Sequence, residues 1–324
     1  MAPDGSLADP FAPLTSMMLP VGDGHEVYVE TVGRADGIPA VYLHGGPGSG
    51  CQPGHRRLFD PTQFRAVLFD QRGAGRSIPR RCRQANTTQH LIADMELIRE
   101  TLGIDSWLVV GGSWGATLAL AYAQAHPEHV SGIVMRATFL GTREELDWAF
   151  GTGLSRFHPS LHRDFLSLLP EMERANPLDG YWRRILDADP AVHGPAARAW
   201  NDTERALSEV IPAASRLNFE AIADPAAPLA ASPFMEAHYF SNDCFLGPGQ
   251  LMANAGRLAR IPGVIVQGRY DLLCPPTTAF ALAEKWGNCD IRVVERAGHS
   301  LSDPGVTEQV VAAIGAFVGP LSPA

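Results

Sequence analysis

The run Gly111-Gly112-Ser113-Trp114-Gly115 constrains this chain more than any other part of it. Trp107-Leu108-Val109-Val110 before it is short and apolar, as a buried strand is. Ala116-Thr117-Leu118-Ala119-Leu120-Ala121-Tyr122-Ala123 after it reads as a buried helix that ends near His126-Pro127. A strand that turns at once into a helix lifts the residue at the turn above the sheet, and here that residue is a serine. The glycines fit because side chains would clash across so tight a turn. Five letters alone would also suit an ordinary serine in a glycine-rich loop. The strand before and the helix after favour an exposed nucleophile.

The rest of the chain repeats the strand-then-helix rhythm. His25–Val32 alternates and reads as an edge strand, and the segment before Leu19 is Pro- and Asp-rich and reads as a loose arm. Val41-Tyr42-Leu43 runs into His44-Gly45-Gly46-Pro47-Gly48, and Val67-Leu68-Phe69 into Asp70-Gln71-Arg72-Gly73. Asn86-Thr87-Thr88 offers caps for a helix carrying Leu91, Met95, Ile98 and Leu102, closed by Gly103. Ile133–Met135, Gly263–Val266 and Ile291–Val294 are further strands, with helices over Thr277–Trp286 and Val306–Val318. Short apolar strands alternating with helices imply a mostly parallel sheet covered on both faces. From about Arg136 to Asn242 the strands stop. Glu144–Phe150, Leu161–Leu169, Tyr181–Leu186 and Ala196–Val210 read as helices instead. The expected organisation is an arm over 1–18, an α/β core over 19–136 and 243–324, and a helical cap over 137–242.

A serine hydroxyl needs a base, and the base needs an orienting carboxylate. After an elbow serine the chain order is serine, acid, histidine, with each partner at the carboxyl end of a later strand. Asp271 follows the strand at Val264–Val266, and His299 follows the strand at Ile291–Val294. His158, His162, His193 and His238 lack that setting. The oxyanion needs two backbone N–H donors. Trp114 supplies one, and the loop His44–Gly48 the other, assigned to Gly46 with Gly45 as the near alternative.

Composition excludes other classes. With 26 basic and 35 acidic residues the net charge is −9, which argues against nucleic acid as a partner. The cluster Arg72, Arg76, Arg80, Arg81 and Arg83 reads as a solvated loop with local ion pairs. The five cysteines are widely spaced with no C-x-x-C pair, so neither a metal site nor a disulfide framework is expected, and no cofactor motif occurs. No signal peptide or membrane-length apolar run is seen, so a cytoplasmic chain without a membrane partner is expected. A monomer or small homo-oligomer is equally compatible.

With these residues in place the chain resembles the proline iminopeptidases, serine aminopeptidases of the α/β-hydrolase fold. The resemblance rests on His44–Gly48, Asp70–Ser77, Gly111–Ala123, Gly268-Arg269-Tyr270-Asp271 with Cys274-Pro275, and Gly298-His299-Ser300. It implies that a small peptide or aminoacyl-amide loses its N-terminal residue, typically proline. It also implies that cap glutamates matching Glu204 and Glu236 grip the free amine, that Arg136 positions the site, and that Phe139 forms a pocket wall. Thr203 stands where the family usually has tryptophan, Ala149 where an aromatic is usual, and Ala237 where asparagine is usual. Smaller side chains there imply a pocket that accepts residues larger than proline. The alternative is an amidase or esterase with the same triad and no need for a free amine.

Overall fold

The computed structural model describes residues 9–321. Residues 1–8 of the expected arm lie outside the described residues. Eight strands form one sheet in the order β1-β2-β4-β3-β5-β6-β7-β8. They are β1 (Pro13–Gly22), β2 (His25–Gly33), β3 (Ile38–Leu43), β4 (Phe64–Phe69), β5 (Trp107–Ser113), β6 (Val130–Thr138), β7 (Gly263–Gly268) and β8 (Cys289–Val294). β1 pairs antiparallel with β2 and β2 with β4, and every other neighbouring pair is parallel.

Two expectations fail at the N-terminus. The arm does not reach residue 18, because the chain enters the sheet at Pro13. The segment His25–Val32 is not an edge, because β1 covers its outer side. Two prolines, Thr15 and Ser16 hide the period of β1, in which only Met17, Leu19 and Val21 pack against the core.

Side chains alternate across the central strands, so each face has its own core. Val41, Leu43, Val67, Phe69, Val109, Ile133 and Ile265 pack on one side with helices α1 (Thr88–Thr101) and α2 (Trp114–Ala125). Ala40, Tyr42, Ala66, Leu68, Leu108, Val110, Val134 and Val266 pack on the other, against the helix Val306–Gly315. Thr87 caps α1 and Gly103, at φ +63°, closes it as expected.

Between β6 and β7 the chain is helical. Arg143–Asp147 runs into a π-helical turn at Trp148–Gly153, followed by Leu154–Phe157, Pro159–Ser167 and Pro177–Ile185. The longest helix, Pro190–Ser208, begins six residues before the expected start at Ala196 and carries Pro195 inside its second turn. Gly194-Pro195 looks like a break in sequence, but Asp189 caps the helix ahead of it by accepting from the Ala191 N–H. Ser232–Phe240 is a further helix that the periodicity does not announce. Stacked rings hold these helices together, Phe165 on Tyr181 with centroids 4.0 Å apart and Phe150 on Trp200 also at 4.0 Å.

The arginine cluster is only partly a solvated loop. Arg72 is buried and bidentate to the buried Asp94 of α1 at 2.7 Å. Arg76 pairs with Asp70 and Glu30 and lies over the Tyr28 ring. Burial pushes the Asp70 carboxyl up, but Arg76 and the N–H groups of Arg76 and Cys51 outweigh it and hold it below its ordinary value. Arg80 and Arg83 are exposed.

Candidate active site

Ser113 ends β5 with φ +57° and ψ −123°, a conformation that costs a non-glycine residue about 1–3 kcal/mol. Its neighbours show why the strain persists. A Cβ on Gly115 would lie 2.1 Å from the Leu43 carbonyl oxygen, and one on Gly111 2.4 Å from that of Gly115. The turn is therefore packed too closely to relax. Ser113 also precedes the first turn of α2, whose free N–H groups and positive dipole end favour negative charge beside it.

The glycine loop after β3 is fixed beside this turn. A Cβ on Gly45 would lie 3.7 Å from that of Ser113, so the two backbones nearly touch. The buried His44 ties the loop down. Its Nε2 accepts from the Gln71 N–H at 3.0 Å, its carbonyl accepts from the Gln71 amide, and Gln71 Oε1 accepts from the Trp114 indole N–H at 2.8 Å. That network assigns the His44 proton to Nδ1, facing the Gly45 carbonyl, and burial lowers the pKa of the ring. Gly46 and Gly45 both line the cavity above Ser113.

Asp271 and His299 meet as expected. His299 Nδ1 lies 3.0 Å from Asp271 Oδ2 and 3.1 Å from Oδ1. Asp271 is held by the N–H groups of Leu273 and Cys274, at 3.0 and 2.8 Å. With Nδ1 facing the carboxylate, Nε2 is the ring nitrogen that Asp271 leaves free. Ser113 and His299 line one cavity of about 390 Å3.

Two further contacts fix the His299 loop. Arg136, at the end of β6, donates through Nη1 to the His299 carbonyl, and its guanidinium packs against Gly112 of the elbow. A single side chain thus touches both the Ser113 turn and the His299 loop. Ser300 N–H donates to the carbonyl of Ser208, the last residue of the long cap helix, at 2.9 Å.

The same helix brings Glu204 over Ser113, in the 390 Å3 cavity and in a smaller one behind it. Burial pushes the Glu204 carboxyl up to about 7. Glu236, on the helix Ser232–Phe240, is fully buried, and burial followed by the charge of Glu204 pushes its carboxyl well above the ordinary value. The Trp200 indole N–H donates to Glu236 Oε2 at 2.5 Å, while Oε1 is buried with no hydrogen-bond partner.

The smaller cavity, about 30 Å3, is lined by Phe139, Ala149, Phe150, Phe240, Leu273 and Cys274 among others. It holds about two water-sized groups. Ala149 does open onto it, but Thr203 does not. Thr203 is fully buried and its hydroxyl has no partner. Ala237 is likewise fully buried. The expectation of a pocket enlarged at Thr203 and Ala149 is therefore reduced to Ala149 alone. Cys274 is buried, and desolvation raises its thiol pKa well above the ordinary value, which makes it a wall rather than a nucleophile.

Sequence reasoning missed several residues that build the site. His44 and Gln71 sit inside quoted motifs, yet only the fold brings their side chains to the Trp114 indole. Trp200, one turn before Glu204, was legible only as part of a helix.

A family model described as the alpha/beta hydrolase fold matches residues 39–305. A proline iminopeptidase from Arabidopsis thaliana is 42% identical over 310 residues, covering 95% of this chain and 81% of that protein. One from Xylella fastidiosa is 42% identical over 309 residues, covering 94% and 97%. The chain belongs to the proline iminopeptidase family of α/β hydrolases. Among solved structures, a proline iminopeptidase-related protein from Thermus thermophilus is similar at a TM-score of 0.59, with 24% identity over 95% of this chain and 99% of that one. That likeness speaks for the fold. Within the family frame, Ser113 and His299 share one cavity with Glu204, Asp271 lies behind His299, and the fully buried Glu236 lines neither cavity.

Proposed function

We propose that this chain is a serine aminopeptidase that releases an N-terminal residue, proline foremost, from small peptides, amides or arylamides. The observation that carries this reading is the Glu204–Glu236 pair. Two buried carboxyls whose charges oppose each other, one with an unpartnered oxygen, are costly unless a cation completes them. A substrate ammonium supplies that cation through charge-assisted hydrogen bonds. Fixing the amine at Glu204 and Glu236 limits cleavage to the first peptide bond.

The chemistry follows from the geometry. The Ser113 hydroxyl attacks the carbonyl of the N-terminal residue while His299 Nε2 takes its proton. Asp271 stabilises the imidazolium through Nδ1. The oxyanion is held by the N–H groups of Gly46 and Trp114. His299 then returns the proton to the leaving amine, and water releases the acyl group by the same steps in reverse order. Arg136 acts as a positioning residue and Phe139 as a pocket wall. The leaving peptide lies along Gln52, His55, Asn201, Arg205 and Ser208, which complete the open side of the larger cavity.

Residues 137–242 act in this reading as the cap that selects the substrate. The small cavity beside Ser113, walled by Phe139, Phe150 and Phe240, favours a compact N-terminal side chain. Five free cysteines suit a reducing cytoplasm, and the chain works as a monomer or small homo-oligomer. Among the described residues no helix is long and apolar enough to cross a membrane.

The test is a panel of aminoacyl-arylamides, each with a free and an acetylated amine. Acetylation removes the charge that the two glutamates meet and should lower kcat/KM by about 100-fold, the equivalent of roughly 3 kcal/mol from two charged hydrogen bonds. Equal rates for the free and blocked forms would instead favour an amidase or esterase. Proline should exceed leucine and phenylalanine, and a preference for phenylalanine would overturn the small pocket.

A further inference from the structure

We propose that Glu96, His126 and His129 form a binding site for a transition-metal dication with imidazole preference, such as Zn2+, on the side of the sheet remote from Ser113. Glu96 lies on α1, while His126 precedes and His129 ends the short turn Pro127–His129 between α2 and β6. His129 Nδ1 is 2.8 Å from Glu96 Oε2 and His126 Nδ1 is 3.9 Å from the same oxygen. The three ligand atoms all lie within 4.8 Å of one another. The two rings stack with planes 5° apart.

The angles distinguish this from an ordinary ion pair. Despite the 2.8 Å approach, His129 Nδ1 is buried without a hydrogen-bond partner, so the nitrogen does not point at the oxygen beside it. Two ligands of one tetrahedral Zn2+ behave this way: each points at the ion, and nitrogen and oxygen end about 3.4 Å apart. The observed separations of 2.8 and 3.9 Å bracket that value. Imidazole and carboxylate are the donor set that Zn2+, Cu2+ and Ni2+ accept. Glu96 is held in place, since Arg99 and Tyr122 donate to it at 3.0 and 2.7 Å. Such outer contacts fix a ligand's direction. All three residues are partly exposed.

The site is independent of the proposed peptidase chemistry. α2 runs twelve residues from Trp114 to Ala125, which puts His126 about 18 Å from the nucleophile. A bound ion would join α1 to the α2–β6 turn and stabilise the fold.

The experiment titrates the full chain, free of any histidine tag, with ZnCl2 by calorimetry and follows Tm with and without the metal. One saturable equivalent with a rise in Tm is expected. His129→Ala should weaken binding by at least about tenfold and abolish the Tm rise. His126→Gln provides a second variant should the first fold poorly. Arylamide hydrolysis in the absence of metal should be unchanged in both. No saturable uptake overturns the proposal. Uptake that survives both substitutions also overturns it, because the ion then sits elsewhere, for example at the Asp271, Cys274 and His299 cluster.

Discussion

Glu204 should be worth more to catalysis than to folding, and Glu204→Gln separates the two. Burial raises the carboxyl from an ordinary 4.5 to about 7. The folded state therefore holds its proton more tightly than the unfolded chain does. Such a group contributes nothing adverse below pH 4.5, where both states are protonated. Stability then falls as pH rises from 4.5 to about 7 and levels off above that. The loss on that plateau is about 3 kcal/mol. A glutamine of similar shape carries no charge and removes it. For a chain of 324 residues this corresponds to a Tm increase of about 4 °C at pH 8. The effect on Glu236 has the same sign, because the Glu204 charge also raises that carboxyl. At pH 4.5 the gain should vanish. The same variant should lose most of its preference for free over acetylated substrates. Differential scanning calorimetry at both pH values, beside an arylamide assay, tests this. A Glu204→Gln protein no more stable than the parent at pH 8, or equally favoured at pH 4.5, would refute the reasoning.

Three other outcomes follow from the contacts described. Ser113→Ala should lower kcat on the order of 10^6-fold and abolish labelling by a fluorophosphonate, and residual labelling would point to another nucleophile. Arg136→Met frees the His299 loop and the elbow together, so kcat should fall by about 100-fold with KM nearly unchanged, and Arg136→Lys should restore part of it. A rise in KM alone would mean that Arg136 binds substrate instead. Asp94→Ala strands the buried Arg72 guanidinium and should cost about 3–5 kcal/mol in denaturant unfolding, whereas a loss under about 1 kcal/mol would mean that Arg72 finds other partners.

The positions of Ser113, Asp271 and His299 at strand ends were legible because their signals are local. Ser113, Asp271 and His299 each follow a short apolar strand, and strand-then-loop is a pattern that a few residues spell out. The parallel sheet was legible for the same reason. The cap was harder. Pro195 reads as a break, yet the helix continues through it because the Asp189 cap fixes the turn ahead of the missing N–H. Thr203 reads as a widened pocket, yet the helix rotates it into the interior. The Arg72–Asp94 pair and the His44–Gln71–Trp114 chain join residues 22 to 43 positions apart, and no spacing rule encodes such contacts. A strand such as β1, with only three residues touching the core, carries too little period to be recognised.

The junction between Ser300 and Ser208 bears on how this protein can be re-engineered. Helical insertions above an α/β sheet invite treatment as interchangeable parts, to be swapped when a new specificity is wanted. Here the final residue of the helix that carries Glu204 is bolted to the loop that carries the base. A transplanted insertion that ends half a turn early or late would leave that loop without its support, whatever pocket it brings. Successful chimaeras should therefore be those whose graft preserves the phase of this one helix end, and the tolerated variation in length should fall in the loops between 209 and 231.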